Sequence, residues 1–112
     1  MTVQQAIENA NALLPGSPLS NDEEIDPRWQ AIIEVGNYVE SNPKEVWEFI
    51  TRWGKSESED VRTAIGTCLL EHLLQYHFST YFPRVESLAG TDPLFGDTFL
   101  SLWEIWAKRE AK

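Results

Sequence analysis

The chain has 112 residues, of which 42% are hydrophobic and 24% are charged, and these values are typical of one globular domain. Its formal net charge is −9, from 18 acidic and 9 basic residues. This charge repels nucleic-acid phosphates and anionic lipid head groups and speeds encounter with a basic partner. The alternative is that the charge serves only to keep the protein soluble. Cys68 is the single cysteine, so no intramolecular disulfide can form.

The sequence contains no recognisable targeting or membrane segment. Residues 1–18 have neither a basic leader nor the apolar run of a secretory signal. No window contains the roughly 20 apolar residues that cross a bilayer. We therefore expect a cytoplasmic protein that does not bind membranes.

Capping signals and apolar spacing predict the first three helices. Thr2 begins a capping box and a helix over residues 3–14. Asp26 followed by Pro27 starts a second helix, and Pro43 ends it and opens a third. The residues predicted to face inward are Val3, Ile7, Ala10, Leu14, Trp29, Ile32, Ile33, Gly36, Val39, Val46, Trp47, Ile50 and Trp53.

A long amphipathic helix follows, and the rest of the chain is organised around it. Ser56 and Glu59 have the spacing of a capping box, and Pro83 limits the helix. Apolar residues recur at three- and four-residue steps on two faces, so we expect other helices to cover both. The first face contains Val61, Ala64, Ile65, Cys68, Leu69, His72, Leu73 and Tyr76, and the second contains Leu70, Leu74, Phe78 and Tyr81.

The remaining residues predict a further short helix and a last long one. Beyond Pro83, a helical piece over residues 84–88 leads to a break at Gly90, and Asp92 then starts a helix over about residues 93–108. No segment alternates with the period of a β-strand, so the predicted fold class is all-α with five to six helices. The last helix faces inward with Phe95, Phe99, Leu102, Trp103 and Trp106.

Helix starts recur at a regular spacing. Asp26-Pro27-Arg28 and Asp60-Val61-Arg62 lie 34 positions apart, and Asp92 follows after 32 more. Paired helices at this period are typical of an α-solenoid. A nonrepetitive helical bundle remains the alternative, because the short loops fit both arrangements.

Residues 26–74, with a weaker continuation to about Trp106, resemble HEAT repeats and in particular short bacterial HEAT-like proteins. The resemblance implies one domain over residues 1–112, with an N-terminal helix and acidic loop in residues 1–24 and helical repeats in residues 25–112. It implies a short right-handed α-α superhelix that acts as a scaffold or binds partners, although some members bind nucleic acid. It also implies a ladder of Asp and Arg side chains between repeats, at Asp26, Arg28, Asp60 and Arg62.

Few residues suggest catalysis. Cys68 and His72 share a helix face and are the candidate pair for a small enzyme, but their apolar neighbours favour a place in the core. The sequence lacks CxxC, HxxxH, P-loop and GxGxxG motifs, so we predict no catalytic, metal or cofactor-binding residue and no cofactor. We expect a protein that is not an enzyme.

The charge also disfavours the alternative of a HEAT-like DNA-binding or DNA-repair-related protein, because the basic residues are few and scattered. We therefore predict a non-catalytic protein–protein interaction module with an acidic surface and a basic partner. An immunity-type inhibitor of a basic toxin is the sharper form of this hypothesis. The predicted partner-binding residues are Asp22, Glu23, Glu24, Asp26, Glu57, Glu59, Asp60 and Trp106.

Overall fold

Helices account for the regular secondary structure of the residues that the structure describes. The computed structural model describes residues 2–14 and 27–110, without the side chains of residues 101 and 103–110. These residues form five helices and no β-strand, which confirms the all-α prediction. The helices are α1 (Val3–Leu13), α2 (Pro27–Gly36), α3 (Pro43–Trp53), α4 (residues 59–91, in the parts Glu59–Ala64, a π-helical Ile65–Leu70 and Glu71–Thr91) and α5 (Pro93–Glu110). Within the described part of the chain, no helix has both the length and the apolar character needed to span a membrane.

Local sequence signals account for several helix starts. Thr2 and Gln5 form the predicted capping box at the start of α1. At the start of α5, Asp92 Oδ1 accepts hydrogen bonds from the backbone N–H groups of Leu94 and Phe95, both at 3.0 Å. Both predicted caps are confirmed. They were predictable from sequence because their hydrogen bonds join residues close together in the chain. The predicted cap Asp26 lies outside the described residues.

The start of α4 differs from the prediction. Ser58 is the N-cap, and its hydroxyl accepts a hydrogen bond from the Val61 N–H at 3.3 Å. Ser56 instead accepts from the Ser58 N–H at 3.1 Å, within the preceding turn. The predicted box of Ser56 and Glu59 is therefore wrong, since the Ser56 hydroxyl shapes the turn before the helix.

The end of α4 also differs from the prediction. The helix passes Pro83 and continues to Thr91, so neither the end at Pro83 nor the break at Gly90 is present. The backbone leaves helical geometry earlier, at His77, with φ −135° and ψ 43°. His77 Nε2 lies 3.2 Å from the Glu40 carbonyl oxygen, which ties this break to the turn after α2.

The hydrophobic core surrounds the middle of α4. Ile65, Leu69, Leu70 and Leu73 are fully buried. The π-helical part packs against α2, α3 and α5, so neighbouring helices cover α4 on more than one side, as predicted. The radius of gyration is 13.6 Å, close to the roughly 13 Å of a compact domain of this length.

Four residues predicted to face inward lie at the surface. Ile33, Tyr76 and Phe78 are 44%, 54% and 47% exposed, and His72 is exposed as well. Ile33 follows the buried Ile32 and therefore falls beside the inward stripe of α2. The predicted inward positions of Trp103 and Trp106 concern side chains outside the described part of the structure.

The helical register of α4 changes within its π-helical part. The Glu71 N–H donates a hydrogen bond to the Gly66 carbonyl, five residues earlier. In an α-helix the acceptor would be the carbonyl four residues earlier. Each π turn therefore holds more residues than an α turn. Leu73 and Leu74 nevertheless stay buried beyond this part, and the exposed Tyr76 and Phe78 lie on either side of the break at His77.

Candidate functional site

The structure describes three of the eight predicted partner-binding side chains. Glu57 and Glu59 are exposed at the start of α4, as a binding role would require. Asp60 follows them, with its side chain 47% exposed. Asp22, Glu23, Glu24, Asp26 and the side chain of Trp106 lie outside the described residues, so their role in partner binding stays a prediction.

Asp60 is engaged within the fold. Its Oδ2 accepts hydrogen bonds from Arg28 Nη2 at 2.6 Å and from Trp29 Nε1 at 3.2 Å. The Arg28 side chain is only 6% exposed, and a buried guanidinium requires an anion or acceptors to offset its lost hydration. Asp60 therefore serves the packing of α2 against α4.

A second ion pair connects α4 to α5. Arg62 Nη2 and Nε lie 3.1 Å and 3.3 Å from Asp97 Oδ2, and Arg62 Nη1 donates to the Ser56 carbonyl at 2.7 Å. Asp97 is absent from the predicted residues, because only the packing of α5 on α4 brings it to Arg62. Of the described ladder positions, Arg28 and Asp60 pair with each other, whereas Arg62 pairs with Asp97, which is not a ladder position.

A groove of about 470 Å³ lies between α1 and α3, and no residue of it was among the predicted site residues. We call it the α1–α3 groove. Its apolar lining consists of Ile7 and Phe49. Three carboxylates and one guanidinium stand at its edges, so the groove is acidic. Its polar lining residues are Gln4, Glu8, Asn11, Glu45, Glu48 and Arg52.

Two polar residues of the α1–α3 groove are held by Trp53. Trp53 Nε1 donates to Asn11 Oδ1 at 2.7 Å, which joins α3 to α1. The Arg52 guanidinium lies over the Trp53 ring, 5.0 Å from its centroid, in a cation–π contact. The two ion pairs found among the described residues involve none of the groove's carboxylates.

An exposed apolar surface lies where α4 meets α5. We call Phe78, Phe82, Phe99 and Leu100 the apolar patch. The rings of Phe78 and Phe82 stack with centroids 4.7 Å apart, and Phe82 contacts Phe99 at 6.3 Å. Phe78 and Leu100 are 47% and 55% exposed. A depression of about 280 Å³ opens beside Phe82, Phe99, Leu100 and Glu86.

The sequence analysis missed the apolar patch for a definable reason. It placed Phe78 on a buried face of α4, whereas Phe78 directly follows the break at His77 and is exposed. Leu100, flanking the inward stripe of α5, is the one sequence feature that could have indicated an exposed apolar residue here.

Cys68 and His72 line a cavity of about 330 Å³ between α2 and the π-helical part of α4. His72 is exposed and Cys68 is half-buried, so the expected core position is wrong for His72 and partial for Cys68. Burial raises the pKa of the Cys68 thiol and the Glu71 carboxylate adds to the rise, while the Thr67 hydroxyl opposes it. The thiol is therefore protonated at neutral pH, which is its less reactive form.

No cluster of metal-binding side chains occurs in the described part of the chain. None of its groups of His, Cys, Asp and Glu brings three such residues together in an arrangement that could hold a metal ion. In the same residues, every buried side-chain nitrogen and oxygen has a hydrogen-bond partner. Among the described residues, the α1–α3 groove is lined by three carboxylates, and the apolar patch exposes Phe78 and Leu100.

Comparison with known protein families, curated proteins and solved structures finds no match to this chain. The HEAT resemblance consequently rests on the sequence pattern alone. The chain is a small all-helical protein with five helices in its described residues, and its function is to be inferred from its surfaces.

Proposed function

We propose that this chain is a non-catalytic protein–protein interaction module that binds a basic partner through the apolar patch. The observation that carries the proposal is the exposure of Phe78 and Leu100 beside the stacked ring of Phe82, on a protein of net charge −9. Aromatic and aliphatic side chains that gather at a surface are typical centres of protein interfaces. The surrounding charge would steer a basic partner toward them.

The exposed apolar surface is too small to account for specific binding of a partner without a contribution from charge. Complete burial of a Phe or Leu side chain stabilises by roughly 1.5–3 kcal/mol. About half of Phe78 and of Leu100 is exposed, so covering both would supply on the order of 2–3 kcal/mol, or about a hundredfold in affinity. This is too little for a specific complex, and complementary charge on the partner would add affinity and speed.

A comparison of matched variants tests this function. Leu100→Ser removes an exposed apolar side chain from the apolar patch, and Ile33→Ser removes one of similar exposure from α2. We expect basic proteins recovered from an extract of the source organism by the unaltered chain and by Ile33→Ser to be depleted about tenfold by Leu100→Ser. Equal recovery by all three chains would contradict the proposal.

The sharper form of the proposal is an immunity-type inhibitor of a basic toxin. Its support is the small size of the chain and its negative charge. Coexpression with the product of the neighbouring gene tests this form, provided that the product is basic and toxic. We expect the unaltered chain and Ile33→Ser to restore growth and Leu100→Ser to restore it poorly. A neighbouring gene without a toxic product would contradict the inhibitor form and leave the binding function to the extract experiment.

We also propose that the helices stack as HEAT-like pairs in a short right-handed superhelix. Two ion pairs support this arrangement, since each joins an arginine near the start of one helix to an aspartate in the first turns of the next long helix of the series α2, α4, α5. A crystal structure would test it. Similar rotations from α2 to α4 and from α4 to α5 would support stacking, and unrelated rotations would contradict it.

A further inference from the structure

We infer that the α1–α3 groove binds an arginine side chain from a basic segment of a partner protein. The alkyl stem would lie on Ile7 and Phe49, and the guanidinium would lie among the carboxylates of Glu8, Glu45 and Glu48. This inference rests on the proposed function, because it takes the partner to be a basic protein. It assigns the basic group of that partner to a surface other than the apolar patch.

The shape and lining of the groove match this side chain. Its volume of about 470 Å³ is within the range of specific ligand sites. Ile7 is half-buried and presents apolar surface among the polar side chains that line the groove, whereas Phe49 is 3% exposed and adds little accessible area. Arginine places an apolar stem against such a surface while its charged head reaches the rim.

The charges of the groove come from two helices. Glu8 stands on α1, whereas Glu45 and Glu48 stand on α3, and all three line the same space. The cation of the groove, Arg52, lies over the ring of Trp53. Three carboxylates against one guanidinium leave the groove with a net negative charge, which attracts a guest cation. A guanidinium has five donors in a planar fork, which lets it bond two carboxylates at once.

The spread of the carboxylates favours an extended organic cation over a metal ion. In the described residues, no three acidic, histidine or cysteine side chains come close enough together to hold a metal. A single divalent cation would require such convergence. An arginine head is wider and delocalises its charge, so it can meet carboxylates that stand on different helices.

Binding of a labelled tetra-arginine peptide, followed by fluorescence anisotropy at about 50 mM salt, tests the inference. Glu45→Gln/Glu48→Gln removes two charges from the groove. Glu34→Gln/Glu40→Gln removes two charges of similar exposure from α2 and the turn after it, and serves as the matched control. We expect the groove variant to weaken binding at least about fivefold and the control less than about twofold. Equal weakening by both variants, or the absence of saturable binding, would overturn the inference.

A change in the opposite direction provides a second test. Arg52→Gln removes the cation of the groove, so it should strengthen peptide binding by about twofold to fivefold. Arg84 has the same kind of surroundings, since its guanidinium lies 5.1 Å from the centroid of the Tyr81 ring. Arg84→Gln is therefore the matched control and should change binding less. Equal strengthening by both, or weakening by Arg52→Gln, would contradict the assigned site.

The two proposals can fail separately. If Leu100→Ser leaves partner recovery unchanged while the groove variants alter peptide binding as expected, the apolar patch is wrong and the groove stands. If Leu100→Ser depletes a partner while Glu45→Gln/Glu48→Gln changes neither partner recovery nor peptide binding, the groove inference is wrong. Free arginine or spermine that competes as tightly as the peptide would make the groove a small-molecule site and overturn its assignment to a protein segment.

Discussion

At the scale of single residues, the two buried arginines have clear structural roles. Arg28 and Arg62 are 5% and 9% exposed, and each is held by an aspartate of another helix. A buried guanidinium without an anion leaves a costly charge in a poorly hydrated place. Asp60 and Asp97 are consequently needed for folding before any contact with a partner is considered.

Removal of Asp60 tests this role. Asp60→Ala removes one carboxylate from the buried Arg28 and the acceptor of the Trp29 N–H, so we expect a loss of about 1–3 kcal/mol in the free energy of unfolding. Glu57→Ala, at an exposed position nearby, should change it by less than about 0.5 kcal/mol. Urea unfolding of both variants measures the difference. Similar effects at the two positions would show that Asp60 is only a surface charge.

Cys68 yields a prediction about pH. Because burial raises the pKa of its thiol, the folded chain holds this proton to higher pH than the unfolded chain does. Alkylation of the folded protein by iodoacetamide should therefore be slow at neutral pH and should still accelerate where the unfolded protein has reached its plateau. The stability linked to this proton is present below the unfolded pKa and is lost as pH rises through the folded pKa. A folded thiol that reacts as fast as the unfolded one at pH 7 would contradict this.

At the scale of elements, the π-helical part of α4 sets the approach of α5. A Cβ atom at Gly66 would lie 2.9 Å from the Thr98 carbonyl oxygen, closer than real contacts allow. Thr98 is itself fully buried, and its hydroxyl donates to the Gly54 carbonyl at 2.8 Å. The missing side chain at Gly66 therefore permits the close contact between α4 and α5.

Two glycine substitutions in α4 should have opposite effects. Gly66→Ala should destabilise the fold by about 1–3 kcal/mol, because the backbone of α5 must move. A Cβ atom at Gly90 meets nothing within 4 Å, so Gly90→Ala should stabilise by up to about 1 kcal/mol through helix propensity. Urea unfolding curves of the two variants measure whether each substitution lowers or raises the free energy of unfolding. A stabilising Gly66→Ala would place α5 farther from the π segment than the structure does.

At the scale of the whole molecule, charge and apolar surface occupy different places. The apolar patch lies on α4 and α5, whereas the acidic groove lies between α1 and α3. The net charge of −9 acts over the entire surface and is screened by salt, but contacts between apolar side chains are not. The contributions of charge and of apolar contact to the proposed partner binding are therefore separable by changing the ionic strength.

Salt should separate these contributions in a purified complex. We expect the association rate with a basic partner to fall at least about tenfold between roughly 50 and 500 mM salt. The ratio of affinities between the unaltered chain and Leu100→Ser should stay nearly constant over the same range, because that side chain is uncharged. Surface plasmon resonance measures both quantities. An association rate that does not respond to salt would contradict a role for the negative charge.

The sequence by itself determined the helical class, the helix starts at Thr2 and Asp92, and much of the core. Those starts were predictable because their caps use hydrogen bonds between residues two or three positions apart. The buried leucines of α4 were predictable as far as Leu74, because their three- and four-residue spacing keeps them inward even across the π-helical part.

Only the tertiary structure decided which residues reach the candidate surfaces. At the break in α4, His77 contacts the Glu40 carbonyl, 37 positions earlier in the chain, and Phe78 directly after it is exposed. Glu8, Glu45 and Glu48 line one groove because α1 packs against α3. Such contacts join residues far apart in the chain, so no local periodicity or capping signal could specify them.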